Sequence, residues 1–281
     1  MSHGSVAARL IVACIAGFGL LVGAARVDGT RSEPVAETLV LLLADRSPTA
    51  EATPSASPPG PGEAEVIVDS RTVPGVEIQG GLLMRPVHAD ADGRSFSIVE
   101  WPAEISLRRH WHPVTERLWM LEGSIESASG ERVEAAEFWE APAGVAMGPF
   151  SSTGSVFVFL GEGPFETHYL EPGESAPRRG APAKFDPDTI PWVALAAVTG
   201  GTASGEVKVL RLPTETDRGV YLVRLMRSAT PSERAYRANV EGYVLSGSLR
   251  LSDPYHGAHV LSPGHYFRIP AGSPFGLSSA P

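Results

Sequence analysis

The sequence predicts an all-β protein built from two copies of one unit, and three observations carry that expectation. Short alternating apolar runs are punctuated by 30 Gly and 25 Pro in 281 residues, a pattern of strands and turns rather than of long helices. The length suits about two domains. Two stretches also repeat. Displaced by 124 residues, Val99 falls on Val223, Leu121 on Leu245, and Gly123-Ser124 on Gly247-Ser248. Displaced by 128, Phe138-Trp139 falls on Tyr266-Phe267, and Pro142-Ala143-Gly144 on Pro270-Ala271-Gly272. The four-residue difference lies in the turn around residues 253–257, where an insertion between strands is tolerated.

Residues 1–25 read as a signal peptide or an N-terminal anchor. Arg9 closes a short polar start, Leu10 to Ala25 is apolar, and Gly23-Ala24-Ala25 offers small residues for cleavage. The run is short for a span of about 20 residues. The protein is therefore expected outside the cytoplasm, whether periplasmic, extracellular or tethered to the membrane at its N-terminus. Residues 26–67 read as a Pro/Ala/Ser-rich linker, too poor in apolar residues to fold. The patch Leu39–Leu43 within it is too short to cross a membrane. The first folded unit is expected at 68–170, a second linker at 171–185 and the second unit at 186–281. Cys14 is the one cysteine, so no disulfide framework is available. A net charge of −9 argues against nucleic acid or an anionic membrane surface as a partner.

The chemistry concentrates in His110-Trp111-His112-Pro113-Val114-Thr115-Glu116, followed by Gly123. On a strand alternate residues share a face, so His110 and His112 project together and Trp111 projects away. Three residues of turn then bring Glu116 to the start of the next strand. Two imidazoles and a carboxylate suit Zn, Fe, Mn or Ni and leave coordination positions open.

This spacing resembles the first motif of the cupins, in which two His and one Glu bind a metal inside a jelly-roll β-barrel. Their second motif is Gly, five residues, Pro-x-Gly, two residues, His. It appears here as Ala136, Pro142-Ala143-Gly144 and Met147, so the resemblance puts Met147 at the usual fourth-ligand position. A thioether suits copper better than iron or zinc. Otherwise Met147 is an apolar wall of the pocket, and water, His168 or His88 stands in. The repeat makes the chain resemble a bicupin. The run Val207–Leu210, Tyr221–Arg224, Gly242–Gly247 and Pro263–Phe267 is similar to bacterial anti-sigma-factor-type (ChrR-like) cupins.

In the second copy His110 falls on Arg234, His112 on Tyr236, Glu116 on Val240 and Met147 on Phe275, residues that fill a barrel rather than hold an ion. That copy also ends soon after its second motif, so it lacks a last strand or borrows one. The resemblance implies a small-molecule metalloenzyme, dioxygenase-like ahead of isomerase or lyase. The alternative is a non-catalytic ligand-binding or sensing protein of the cell envelope. It also implies that barrels pair through outer faces, as in a homodimer. Trp111, Trp119 and Trp139 are expected on such faces, and Arg108-Arg109 as an exposed basic pair.

Overall fold

The computed structural model describes residues 37–45, 65–78, 81–103, 105–196, 205–226, 234–236, 238–253 and 257–280. The expected signal or anchor segment, with Cys14, lies outside them. Strands dominate and form two large antiparallel sheets of seven strands each. The first runs Ala183–Phe185, Phe138–Ala141, Glu116–Glu122, Ser155–Glu162, Arg94–Trp101, Leu82–Ala89, Val76–Ile78. The second runs Val66–Asp69, His265–Ile269, Val240–Ser246, Thr38–Ala44, Gly219–Leu225, Gly205–Arg211, Val193–Ala194. Each is closed by a four-stranded sheet, giving two barrels.

Taken in that order, the two sheets match position for position, and the match shows which strand the second barrel borrows. Ser155–Glu162 lies between Arg94–Trp101 and Glu116–Glu122. Its counterpart Thr38–Ala44 lies between Gly219–Leu225 and Val240–Ser246. The N-terminal segment thus completes the C-terminal barrel.

This corrects the expectation of a linker over 26–67, since Thr38–Ala44 is a central strand and Val66–Asp69 an edge strand. The average composition hid a run, TLVLLLA, that is apolar on both faces. Such a run marks a strand covered on two sides. The expected linker 171–185 is likewise docked: Ala183–Phe185 pairs with Phe138–Ala141, and the Arg178 amide donates to the Gly144 carbonyl at 2.9 Å.

Strand parity sorts the side chains into three cores. Phe157 and Phe159 fill the first barrel, while Val158 and Leu160 point to the second. Val40 and Ala44 fill the second barrel, while Leu41 and Leu43 join Val158, Leu160 and Trp119 in the core between barrels. Trp119 therefore lies where expected. Trp139 does not: it faces the first barrel's interior.

Two turn glycines show why the repeated motif needs them. Gly123 has φ 70° and a Cβ there would sit 1.9 Å from the Gly154 carbonyl oxygen. Gly247 has φ 77° and its Cβ would meet the Glu37 oxygen at 2.5 Å. The second-motif turn also needs positive φ. Gly264 supplies it at 94°, whereas Ala136 holds 66° with a side chain, a conformation that costs an L-residue about 1–2 kcal/mol.

Candidate metal centre

His110 lies on the two-residue strand His110–Trp111, bridged to Met147 by a reciprocal pair of backbone hydrogen bonds of 3.0 and 2.8 Å. Pro113 and Val114 turn the chain, and Glu116 opens the strand Glu116–Glu122. The ligand atoms of His110, His112 and Glu116 all lie within 4.8 Å of one another, and both histidines are buried. The three residues the spacing selects are therefore brought together.

The backbone fixes how the imidazoles face. His110 Nδ1 is 2.6 Å from the Arg108 carbonyl oxygen, and His112 Nδ1 is 2.7 Å from that of Glu166. A carbonyl only accepts, so each Nδ1 carries the proton and each Nε2 lone pair is free. Glu116 Oε2 is buried without a hydrogen bond and stands 3.2 Å from His112 Nε2. Two lone pairs facing across that gap need a cation between them.

Without a metal, the same proximity favours protonation of His112. Burial penalises the His112 imidazolium, but the Glu116 carboxylate outweighs burial and raises the His112 pKa above the usual value. Burial lowers that of His110.

The donors face a cavity of about 430 Å³. Met147 is 3 % exposed, belongs to the first barrel's core and lines this cavity. Phe165, on the loop after Ser155–Glu162, lies over His112 with ring centroids 4.0 Å apart. The same loop supplies the Glu166 oxygen that orients His112.

The two proposed stand-ins for a fourth ligand separate here. His168 points away from the cavity: its ring stacks on Trp111 at 4.2 Å, and its Nε2 is 3.3 Å from Glu166. Trp111 thereby serves the rim rather than a contact between barrels. His88 borders the cavity, but its ring stacks on Tyr266 in the core between the barrels, and it lies outside the three-donor cluster. Arg108 and Arg109 are exposed, as expected; Arg108 lies over the Tyr169 ring and Arg109 reaches the Glu174 carbonyl.

Residues 63–166 match the family model of the ChrR Cupin-like domain. The chain carries the cupin fold twice. A comparison with curated protein sequences gives no match. Among solved structures, a candidate dioxygenase from Nostoc punctiforme superposes with a TM-score of 0.63 at 17% identity, covering 83% of this chain and 84% of that one. Protein Ylba from E. coli gives 0.57 at 10%, covering 78% and 88%. A mutant of the Bacillus subtilis oxalate decarboxylase gives 0.52 at 12%, covering 76% and 74%. At these identities the likeness is one of fold.

The second barrel repeats the geometry without the donors. Arg234 pairs with Phe275 in the register that pairs His110 with Met147. Val240 and Phe275 lie in the second barrel's core, and Tyr236 packs against it with its ring 5.2 Å from that of Phe275.

A buried charge network joins the barrels, and no local sequence pattern announced it. Arg117, next to Glu116 but on the opposite face, bonds Glu140 at 2.7 Å and Glu162 at 3.0 Å. Arg218 bonds Glu162 at 3.2 Å and Glu241 at 2.9 Å. Burial works against the Glu241 charge, but Arg218 outweighs it and holds the carboxyl below its usual range.

The repeat relates Arg218 to Arg94, and Glu162 to Asp45. Arg94 in turn bonds Asp45 at 2.8 Å. Each barrel therefore sends an arginine to the acid that ends the other barrel's corresponding strand.

Proposed function

We propose that the protein holds one divalent metal ion in its N-terminal barrel and acts there on a small molecule, as a dioxygenase-like metalloenzyme. His110 and His112 would bind through Nε2, and Glu116 through its carboxylate. The observation that carries this reading is the buried Glu116 oxygen without a hydrogen bond, facing imidazole nitrogens whose other ring nitrogens are tied to carbonyls. Bound there, the ion would supply Lewis-acid polarisation of a substrate oxygen and open positions for a further ligand. Fe, Mn, Zn or Ni fits the nitrogen and oxygen donors, and Cu fits only if Met147 ligates.

The chain's own part is orientation and exclusion of water. The Arg108 and Glu166 carbonyls hold the rings, and Phe165 covers His112. An isomerase or lyase would use the same donors. We also place the protein outside the cytoplasm, on the strength of the apolar run from Leu10 to Ala25.

One observation favours a non-catalytic ligand-binding or sensing role. Among the described lining residues no Lys or Arg appears, and Glu116 is the one carboxylate. Tyr169 is thus the ionisable group left over for proton transfer, since the His88 ring packs on Tyr266 between the barrels. Measuring metal in purified and reconstituted protein, and in His110→Ala and Glu116→Ala, tests the site. Wild-type protein without stoichiometric metal would sink the enzyme reading. Metal that is held, with no oxygen uptake across dicarbonyl and phenolic compounds, would leave the isomerase or the sensor.

A further inference from the structure

Two serines stand on the cavity wall where apolar side chains would be expected. Along Arg94–Trp101 the side chains alternate. Phe96 and Ile98 join the core between the barrels, while Val99 and Trp101 join the first barrel's core. Ser95 and Ser97 share the parity of Val99 and line the cavity. Ser97 is 2% exposed, and neither hydroxyl has a hydrogen-bond partner among the described residues.

The second barrel shows another way to fill the same place. The repeat relates Ser95 to Gly219 and Ser97 to Tyr221. The pairing agrees: Ser97 lies opposite Phe159 as Tyr221 lies opposite Leu42. Tyr221 is 3% exposed and belongs to the second barrel's core. One barrel closes this space with a ring, and the other leaves it open and sets two hydroxyls on its wall. A hydroxyl held out of water without a partner costs free energy that a ligand group recovers.

The sheet brings these hydroxyls beside the metal donors. Ser95 pairs with Gly161, and Gly161 with Glu116, so the backbones of Ser95 and Glu116 are two strand spacings apart, about 10 Å. Gly161 puts no side chain between them. A Cβ there would sit 2.8 Å from Ser95 Oγ, which leans into the gap, and 3.7 Å from the Phe165 ring that covers His112. The more deeply buried Ser97 follows about 7 Å along the strand. One ligand hydroxyl, bonded at about 2.8 Å on either side, spans much of that step by accepting from one serine and donating to the other.

The remaining wall sets the ligand's body. Leu82, Met84, Val99 and Phe157 are among its apolar side chains. An anion finds no Lys or Arg among the described lining residues. The volume of about 430 Å³ lies in the range of ordinary small-molecule sites.

We propose that the cavity takes a neutral small molecule with an apolar body, an oxygen group for the metal and a hydroxyl for Ser95 and Ser97. The inference rests on the metal reading above and adds the ligand's class and the residues that select it.

Calorimetric titration of zinc-loaded protein tests it, zinc being redox-inert so that binding is read without turnover. The probes are 1-phenylbutane-1,3-dione, its 3- and 4-hydroxyphenyl analogues and oxalate. The better hydroxylated dione should bind about 3- to 30-fold tighter than the plain one. The double variant Ser95→Ala, Ser97→Ala should abolish that difference while keeping zinc content and plain-dione affinity. Its melting temperature should stay level or rise, because no hydrogen bond within the protein is lost. Oxalate should bind at least about tenfold more weakly than the plain dione. A hydroxyl preference that survives the double variant, no preference in the wild type, a lowered melting temperature, or oxalate bound as tightly as the diones overturns the inference alone. Protein that takes up no zinc overturns the metal reading and this inference with it.

Discussion

His110, His112, Glu116 and Met147 of the first barrel correspond to Arg234, Tyr236, Val240 and Phe275 of the second. The backbone at these places is alike: His110 bridges Met147 as Arg234 pairs with Phe275. The interiors are not. One keeps a cavity with converging donors, and the other packs Tyr236 and Phe275 into its core. The outer faces show the reverse. There the barrels use equivalent strands, with Val158 and Leu160 on one side and Leu41 and Leu43 on the other. Conserved geometry serves association, while interior composition decides chemistry.

The comparison breaks most visibly at its arginines. Arg218 is 1% exposed between Glu162 and Glu241. Arg218→Met leaves Glu241 buried without its cation and Glu162 with Arg117 alone, and should cost about 3–5 kcal/mol. The equivalent Arg94 and its partner Asp45 are 22% and 25% exposed, so Arg94→Met should cost about 1 kcal/mol or less. Urea unfolding of both variants reads the difference; equal losses would mean that burial does not separate the two clasps.

Leu41→Ala tests the borrowed strand. Leu41 is fully buried between the barrels, and its truncation should cost about 2–5 kcal/mol. A loss near zero in the same unfolding assay would show that Thr38–Ala44 is dispensable to the second barrel.

The interiors are separated by adding a ligand to each. Met147→His should tighten zinc binding by at least about tenfold, since it sets a third imidazole opposite His110. Phe275→His, at the equivalent place, should leave metal content unchanged. Acid should weaken binding to the first barrel. The raised pKa of His112 means that it gains a competing proton at higher pH than an ordinary histidine, so affinity falls as pH drops through that range. Metal uptake should release this proton, measurable as a buffer-dependent heat; no buffer dependence would contradict the shared proton.

The smallest contrast is at the second-motif turn. Ala136→Gly should stabilise the protein by about 1 kcal/mol, and Gly264→Ala should destabilise it by at least that much. Thermal melts of the pair check the signs.

The sequence carried much of this comparison because its signals are local. The His-x-His parity, the turn to Glu116 and the two offsets each need only neighbouring residues or a simple repeat, and all held in three dimensions. Met147 opposite His110 was likewise legible, although its role between ligand and wall was not. What escaped depends on distant partners. Thr38–Ala44 sits in a Pro-rich context and pairs with strands about 180 to 200 residues later. Arg117 and Glu241 find their ionic partners only across long sequence separations, where the barrels meet. Glu166 contributes a main-chain oxygen, which leaves no trace in residue type.

The borrowed strand also orders events during synthesis. Thr38–Ala44 leaves the ribosome early, but its neighbour Val240–Ser246 is complete only about 200 residues later. At roughly 5–20 residues per second, this apolar strand waits for about 10–40 s without its final partners. The first barrel's own large sheet is complete by Phe185 and closes during that interval. Among the described strands the earliest-made is thus among the last to be housed, and until then its apolar face and unpaired backbone stay open to wrong partners.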